Sequence, residues 1–286
     1  MISPRIGRRA ALAGLLTLVA GCGRAAPRTG APRVVSLSPS TTEAAFAIGA
    51  GNLLVGRSRF CDYPPEATAL PVVGGFADPS IEAIVALRPT LAIGARGPAG
   101  PALEGTLAAR GIATFFPETE SIAQIEAMIT ELGRRLGHEE GARFAVAQIE
   151  AARRAVAAAK GPRVRAAFLF DVAPIFAAGP GSFADELLRE AGGENVITAG
   201  GAYPTLDIER LLALDPDVIL DGAADEQGRS RVLQKAGDPG WKSLRAVREG
   251  RVRPLAAAVV LRPGPRIGEG LAAVARALRE GAGRGP

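Results

Sequence analysis

Ser80-Ile-Glu-Ala-Ile-Val-Ala-Leu-Arg-Pro-Thr-Leu-Ala-Ile93 and Asp207-Ile-Glu-Arg-Leu-Leu-Ala-Leu-Asp-Pro-Asp-Val-Ile-Leu220 carry one pattern twice in a single chain. Each opens on a residue that caps a helix N-terminus (Ser80, Asp207), runs through a short helix, stops at a proline and continues as an apolar strand. Each places a glutamate, Glu82 or Glu209, in the first helical turn. The competing reading is chance likeness between two ordinary helix–strand units. A second echo in the same order weighs against it: Glu43-Ala-Ala-Phe-Ala-Ile-Gly-Ala-Gly-Asn52 matches Glu186-Leu-Leu-Arg-Glu-Ala-Gly-Gly-Glu-Asn195. The offset is 143 for Glu43 and Glu186 but 127 for Glu82 and Glu209, so the first half carries 16 extra residues. They fall near Gly56 to Gly75, a stretch with Arg57, Arg59, Phe60, Asp62, Tyr63 and Pro64-Pro65. An insertion in one copy of a duplicated unit is a natural place for binding.

Between the echoes, Arg33–Leu37, Leu53–Val55, Leu91–Ile93 and Ala113–Phe116 read as strands alternating with helical patterns, which predicts a parallel sheet covered by helices. Ser121 to Gln124 has the form of a capping box, and Ile122, Ile125, Ile129, Leu132 and Leu136 make an apolar stripe ended by Gly137. His138 to Lys160 is alanine-rich and free of proline, with Ala142, Ala145, Ile149, Ala152 and Val156 at helical spacing. As one helix it spans about 34 Å, enough to connect two lobes; an ordinary surface helix of the first lobe is the alternative. Strands near Val164–Phe170, Ile175–Ala177, Val218–Leu220 and Val252–Leu255 form the second series.

The N-terminus reads as an export signal. Arg5, Arg8 and Arg9 precede an uncharged run from Ala10 to Ala20, too short to span a bilayer, followed by Val19-Ala20-Gly21-Cys22. The last four residues have the form of a lipobox, in which Cys22 becomes the lipidated first residue; a plain signal with an incidental cysteine is the alternative. Arg8-Arg9 leaves the twin-arginine route open beside the general one. Gly23 to Pro32 reads as a tether. Removing residues 1–21 leaves 31 basic against 29 acidic residues, close to neutral, and no basic tract argues for nucleic acid. With Cys22 lipidated, Cys61 has no partner and no disulfide framework follows.

Catalytic equipment is sparse. The single histidine, His138, excludes histidine-clustered metal sites, and no His-Glu-x-x-His, Cys-x-x-Cys or Gly-x-Ser-x-Gly pattern occurs. Gly179-Pro-Gly-Ser182 lacks the Lys-Ser/Thr ending of a phosphate loop. A carboxylate-only extracytoplasmic hydrolase is the remaining enzymatic alternative. The preferred expectation is a non-enzyme without cofactor or resident metal.

Val35-Ser-Leu-Ser-Pro-Ser-Thr-Thr-Glu43, Cys61-Asp-Tyr-Pro-Pro-Glu66, Val73-Gly-Gly-Phe76, Ile81 to Pro89, Gly192-Gly-Glu-Asn-Val-Ile197 and Ile208 to Pro216 together resemble the substrate-binding proteins of ABC importers, in the class serving cobalamin, haem and ferric siderophores. The resemblance covers Pro32 to Leu278. It implies an α/β fold of two Rossmann-like lobes joined by one long α-helix, the class III or helical-backbone arrangement. The expected organisation is a signal over 1–21, a tether over 22–32, an N-terminal lobe over 33–137, a backbone helix over 138–160 and a C-terminal lobe over 161–286. It also implies a monomeric, exported, lipid-anchored receptor, periplasmic or on the cell surface. Its partners are a small ligand, an ABC permease and that permease's ATPase subunit.

The same resemblance assigns roles to residues. Glu82 and Glu209 dock on permease arginines, although glutamate also favours a first helical turn by itself. Tyr63 in Asp62-Tyr-Pro-Pro65 lies against a corrin ring; Phe76 and Tyr203 supply further aromatic walls, with Phe60 beside them. Ala95 falls where a tryptophan would strengthen the cobalamin case. Arg96 and Arg262, with Arg57, Arg59 and Arg266, suit haem propionates or an anionic siderophore if they converge on the cleft, and are otherwise solvated surface arginines. Cys61 is either a lower axial contact to cobalt or a buried inert thiol. Cobalamin heads the expected ligands, with haem or a ferric siderophore as alternatives.

Overall fold

In the computed structural model the described residues are 30–96, 100–159, 161–224 and 228–283. The expected signal over 1–21, Cys22 and the tether as far as residue 29 lie outside them, as does Lys160. Pro32–Pro286 packs as one compact unit.

The first half runs β1 (Val34–Ser36), α1 (Pro39–Ala47), β2 (Leu54–Arg57), α2 (Ile81–Ala86), β3 (Leu91–Ile93), α3 (Gly100–Ala108) and β4 (Ala113–Phe115). Its sheet has the order β2-β1-β3-β4 and every pairing is parallel. Strand neighbours alternate between two cores: Val34 joins one apolar cluster and Val35 the cluster on the opposite face. Two helices then follow, α4 (Ile122–Leu136) and α5 (Glu139–Ala158). All five apolar-stripe residues of α4 are buried, each contributing roughly 1.5–3 kcal/mol of burial before entropy is counted. Gly137, at φ 73°, ends α4 in the left-handed conformation that suits glycine, and α5 starts two residues on.

The second half contains β5 (Val164–Val172), β6 (Ile175–Ala177), α6 (Phe183–Glu190), β7 (Gly193–Asn195), β8 (Thr205–Leu206), α7 (Ile208–Leu214), β9 (Val218–Asp221), α8 (Arg231–Gln234), α9 (Arg245–Arg248), β10 (Val252–Pro254), α10 (Ala257–Val260) and α11 (Ile267–Gly281). The first sheet is parallel as expected; this one is mixed: β10, β9, β5 and β7 run parallel, but β6 is antiparallel to β5 and β8 to β6. The two turn residues Ala173-Pro174 return the chain directly, as only an antiparallel hairpin allows.

The sequence echo continues into the hydrogen bonds. Ser80 accepts from the Ala83 N–H at 3.2 Å and Asp207 from the Arg210 N–H at 2.7 Å. Arg33 on the edge of β1 donates to the Leu87 carbonyl at 2.8 Å, and Arg165 on β5 donates to the Leu214 carbonyl at 2.9 Å. Next along the chain come Arg88 (φ 48°) and Asp215 (φ 40°), the non-glycine residues with positive φ among those described. Each precedes a proline, which pushes it out of the right-handed helical region. The same helix–strand unit therefore occurs once in each half of the chain.

Helix α5 is 20 residues, about 30 Å long. It packs on α4 and α1 of the first half and on α11 and α6 of the second. The inner faces of both sheets and these five helices share one continuous apolar cluster. At Gly268 a Cβ would stand 2.8 Å from the Ala152 methyl, so this glycine lets α11 approach α5 closely. Trp241 is buried in the separate cluster on the outer face of the second sheet, away from α11.

Candidate functional site

Ligands of open α/β sheets bind beyond the carboxyl ends of the strands, and both sheets direct those ends at one seam. β1 leads into Ser38–Ser40. Here the serine- and threonine-rich stretch makes a buried hydroxyl network, with Ser36 bonded to Thr41 (2.9 Å) and Thr42 (2.8 Å) and Ser38 to Ser40 (3.0 Å). Ser38 also accepts from the Ala95 N–H at 2.9 Å, tying the loop after β3 to the start of α1. The network delivers Glu43, only 3% exposed, to the seam.

From the other lobe, the segment before α11 meets it. Arg266 donates to both Glu43 oxygens, from Nε at 2.8 Å and from Nη2 at 2.7 Å. Its guanidinium lies 3.9 Å from the centre of the Tyr63 ring. Arg262 forks onto Asp62 at 2.5 and 3.0 Å and stands 3.4 Å from Glu43. That fork holds the Asp62 carboxyl below its ordinary value, against the opposing effect of its partial burial. The inserted stretch of the first half thus reaches across to the second lobe beside Glu43. A cavity of about 310 Å³ opens beside it, lined by Glu43, Phe46, Tyr63, Phe144, Gln148 and Arg266 among others.

A second bridge crosses the seam at Tyr203, whose hydroxyl donates to Glu120. Gln124 accepts from the Glu120 N–H at 2.8 Å and Ser121 caps α4, so the reciprocal arm of the expected capping box falls one residue earlier than the cap. Tyr203 stacks on Phe176 (centroids 6.0 Å apart, planes at 23°) and also meets Phe170, making an aromatic ledge on the second lobe. Burial, and then the bond to Glu120, raise the Tyr203 phenol well above its ordinary value.

Tyr63 and Arg262 therefore come together around Glu43 and Asp62, while Tyr203 belongs to the other bridge. Phe60 is 51% exposed, with Arg59 at 5.7 Å from its ring centre. Phe76 is half-buried and makes no ring contact with Tyr63 or Tyr203. The cavity beside Tyr63 includes neither Phe76 nor Tyr203. Arg96 is exposed on the loop after β3 and pairs with Glu118 at 2.8 Å; Arg59 pairs with Asp78 at 2.7 Å. Arg57 donates to the carbonyls of Ser58 and Thr68. Cys61 is fully buried and 3.2 Å from the Ser58 hydroxyl. His138 stands immediately before α5, and no metal-holding group of side chains occurs among the described residues. Glu82 and Glu209 are exposed at the same position of α2 and α7.

Sequence reasoning left Glu43, Glu120, Phe170 and Phe176 out of the site. Glu43 lay inside a quoted motif, but its partners are more than 200 residues away in sequence. Phe176 alone carried a local signal, as an aromatic residue in a short strand next to a turn.

Known proteins share this architecture. The vitamin B12-binding protein of Salmonella paratyphi A is 34% identical over 200 residues, 68% of this chain and 74% of that protein. The crystal structure of the periplasmic vitamin B12 binding protein of Vibrio cholerae superposes with a TM-score of 0.74 at 28% identity, covering 88% of this chain and 98% of that one. The periplasmic heme-binding protein from Roseiflexus sp. RS-1 gives 0.77 at 29% identity over 88% and 100%. These relatives are binding proteins, not enzymes. The periplasmic binding protein family matches residues 34–258, and this chain belongs to it.

Proposed function

We propose that this protein is the extracytoplasmic substrate-binding component of an ABC importer, capturing cobalamin between its two lobes and delivering it to a permease and its ATPase subunit. Relatives at about a third identity named as vitamin B12-binding proteins support the ligand. The observation that carries it is chemical. Arg59, Arg96, Arg262 and Arg266 each have a carboxylate partner, and Arg57 is bonded to carbonyls. Aromatic faces at Phe60, Tyr63 and Tyr203 stay exposed. A corrin ring, with neutral amides around an apolar macrocycle, suits aromatic walls without free cations. Haem or a ferric siderophore is the second reading, favoured by the equally good fold match to a heme-binding protein.

In this reading Phe60, Tyr63, Phe76, Arg96, Tyr203 and Arg262 face the ligand, and Glu82 and Glu209 dock on the permease. The lobes comprise 33–137 and 161–286 with 138–160 as backbone. Residues 1–21 direct export, lipidated Cys22 anchors a monomer to the membrane, and 22–32 is the tether. A visible absorption titration with cyanocobalamin and with hemin tests the ligand. Saturable one-to-one binding of cyanocobalamin, tighter than that of hemin, is expected; the reverse order would replace this reading with the haem one.

A further inference from the structure

Glu120 differs from the acids that neutralise arginines around the seam. Asp62, Asp78, Glu43 and Glu118 each neutralise an arginine. Among the described residues Glu120 forms no ion pair; its carboxylate takes the hydroxyl of a neutral phenol, Tyr203. The bond from its own N–H to Gln124 fixes its backbone. Its charge therefore stands, uncompensated, at the end of the ledge formed by Phe170, Phe176 and Tyr203. Donors for ferric iron are few in this chain, which has two tyrosines and one histidine. Cys61 is fully buried, and His138 stands at the start of α5. Of the two phenols, Tyr63 carries the Arg266 guanidinium on a ring face and is 43% exposed.

We propose that Glu120 is a specificity-determining residue, keeping carboxylate-bearing ferric ligands off the aromatic ledge while admitting one whose periphery carries neutral amides. Two effects act together. The uncompensated charge repels propionates and other anionic groups arriving at the ledge, at a range where screening is incomplete. Burial and then the hydrogen bond keep Tyr203 a phenol, because a phenolate beside a carboxylate would place two negative charges in contact, so iron is denied that oxygen. Amides suffer neither effect and can donate to Glu120. The inference rests on the corrinoid reading for the identity of the admitted ligand.

The test compares the wild type, Glu120→Gln and, as a control for net charge, Glu140→Gln on the exposed surface of α5. Each is titrated with hemin and with cyanocobalamin at low and high salt. Glu120→Gln should tighten hemin binding about tenfold at low salt, the size of one charge interaction near a surface, and less at high salt. Its cyanocobalamin affinity should change less than its hemin affinity, because glutamine still accepts from an amide, and Glu140→Gln should change neither. An unchanged hemin affinity in Glu120→Gln, or equal tightening of both ligands, would overturn the proposal. Failure of the wild type to bind cyanocobalamin would sink the corrinoid reading alone, because the hemin ratio between wild type and Glu120→Gln still reads the filter.

Discussion

Replacing Glu43 by glutamine removes one charge from a buried carboxylate that holds cations of the opposite lobe. Its side chain is 2% exposed, that of Arg266 15% and that of Arg262 22%. Removing one partner of a buried ion pair costs about 3–5 kcal/mol, because the other charge stays desolvated. Two features reduce that figure here. Arg262 keeps its fork to Asp62, and Arg266 keeps the Ala258 carbonyl at 2.9 Å and the Tyr63 ring. Glutamine also preserves one acceptor oxygen and the side-chain volume. We expect about 2–3 kcal/mol of destabilisation, read as a lower urea midpoint with an unchanged slope. For a domain of this size that is roughly 4–12 °C in Tm. Arg266→Met and the double variant complete a cycle. If the pair is the source of the effect, Glu43→Gln adds little to Arg266→Met, with a coupling of about 2 kcal/mol. A single-variant cost under about 0.5 kcal/mol, or strict additivity, would refute the assignment of Glu43 as the anchor between lobes.

Glu82→Ala combined with Glu209→Ala should abolish uptake in cells while leaving ligand affinity and Tm within error, since neither side chain is part of a core; a loss of affinity in a binding titration would overturn the docking role. Asp62 carries an acid-range prediction. Because its folded-state pKa lies below the unfolded one, the Arg262 bond contributes fully above about pH 4 and is lost as pH falls through the folded value. Asp62→Asn should therefore lower Tm at neutral pH, with the two Tm–pH curves converging in acid, and parallel curves would refute it.

What the sequence made legible was local. A capping residue, a turn of helix, a proline and an apolar strand lie within fourteen positions, so the duplicated unit could be read twice without knowing any contact. The α4 stripe was legible for the same reason. β7 was not: Gly-Glu-Asn has no strand preference and extends only because β5 offers an open edge at Val164–Ala166. β8, two residues long, is extended by pairing with β6. The matched grips of Arg33 and Arg165 on their helix ends were also hidden, because each arginine lies about fifty residues from the carbonyl it holds. The site suffered most. Its bridges join residues 62 and 262, 43 and 266, and 120 and 203, and nothing in local sequence pairs them.

The two sides of the seam differ in what it costs to move them. Behind it, α4, α5, α6 and α11 share one apolar cluster, and Gly268 lies closer to Ala152 than any residue with a side chain would allow. Wide opening there would expose area worth about 25 cal/mol per Å². In front, the Glu43–Arg266 pair is buried, while the Asp62–Arg262 and Tyr203–Glu120 bridges are polar and partly wet: the Asp62 side chain is 59% exposed and the Tyr203 residue 42%. Exposed pairs of this kind contribute about 0–1 kcal/mol each, and water or a ligand amide replaces them at little cost. On the proposed reading, ligand entry is an exchange of partners at the front, with small rotations about a back that stays closed. The proposed docking glutamates begin α2 and α7, one on each lobe, so a permease holding both acts on the lobes as a pair. Prying at those two points acts first on the weak front contacts, which gives release a direction that thermal opening of the fused back does not supply.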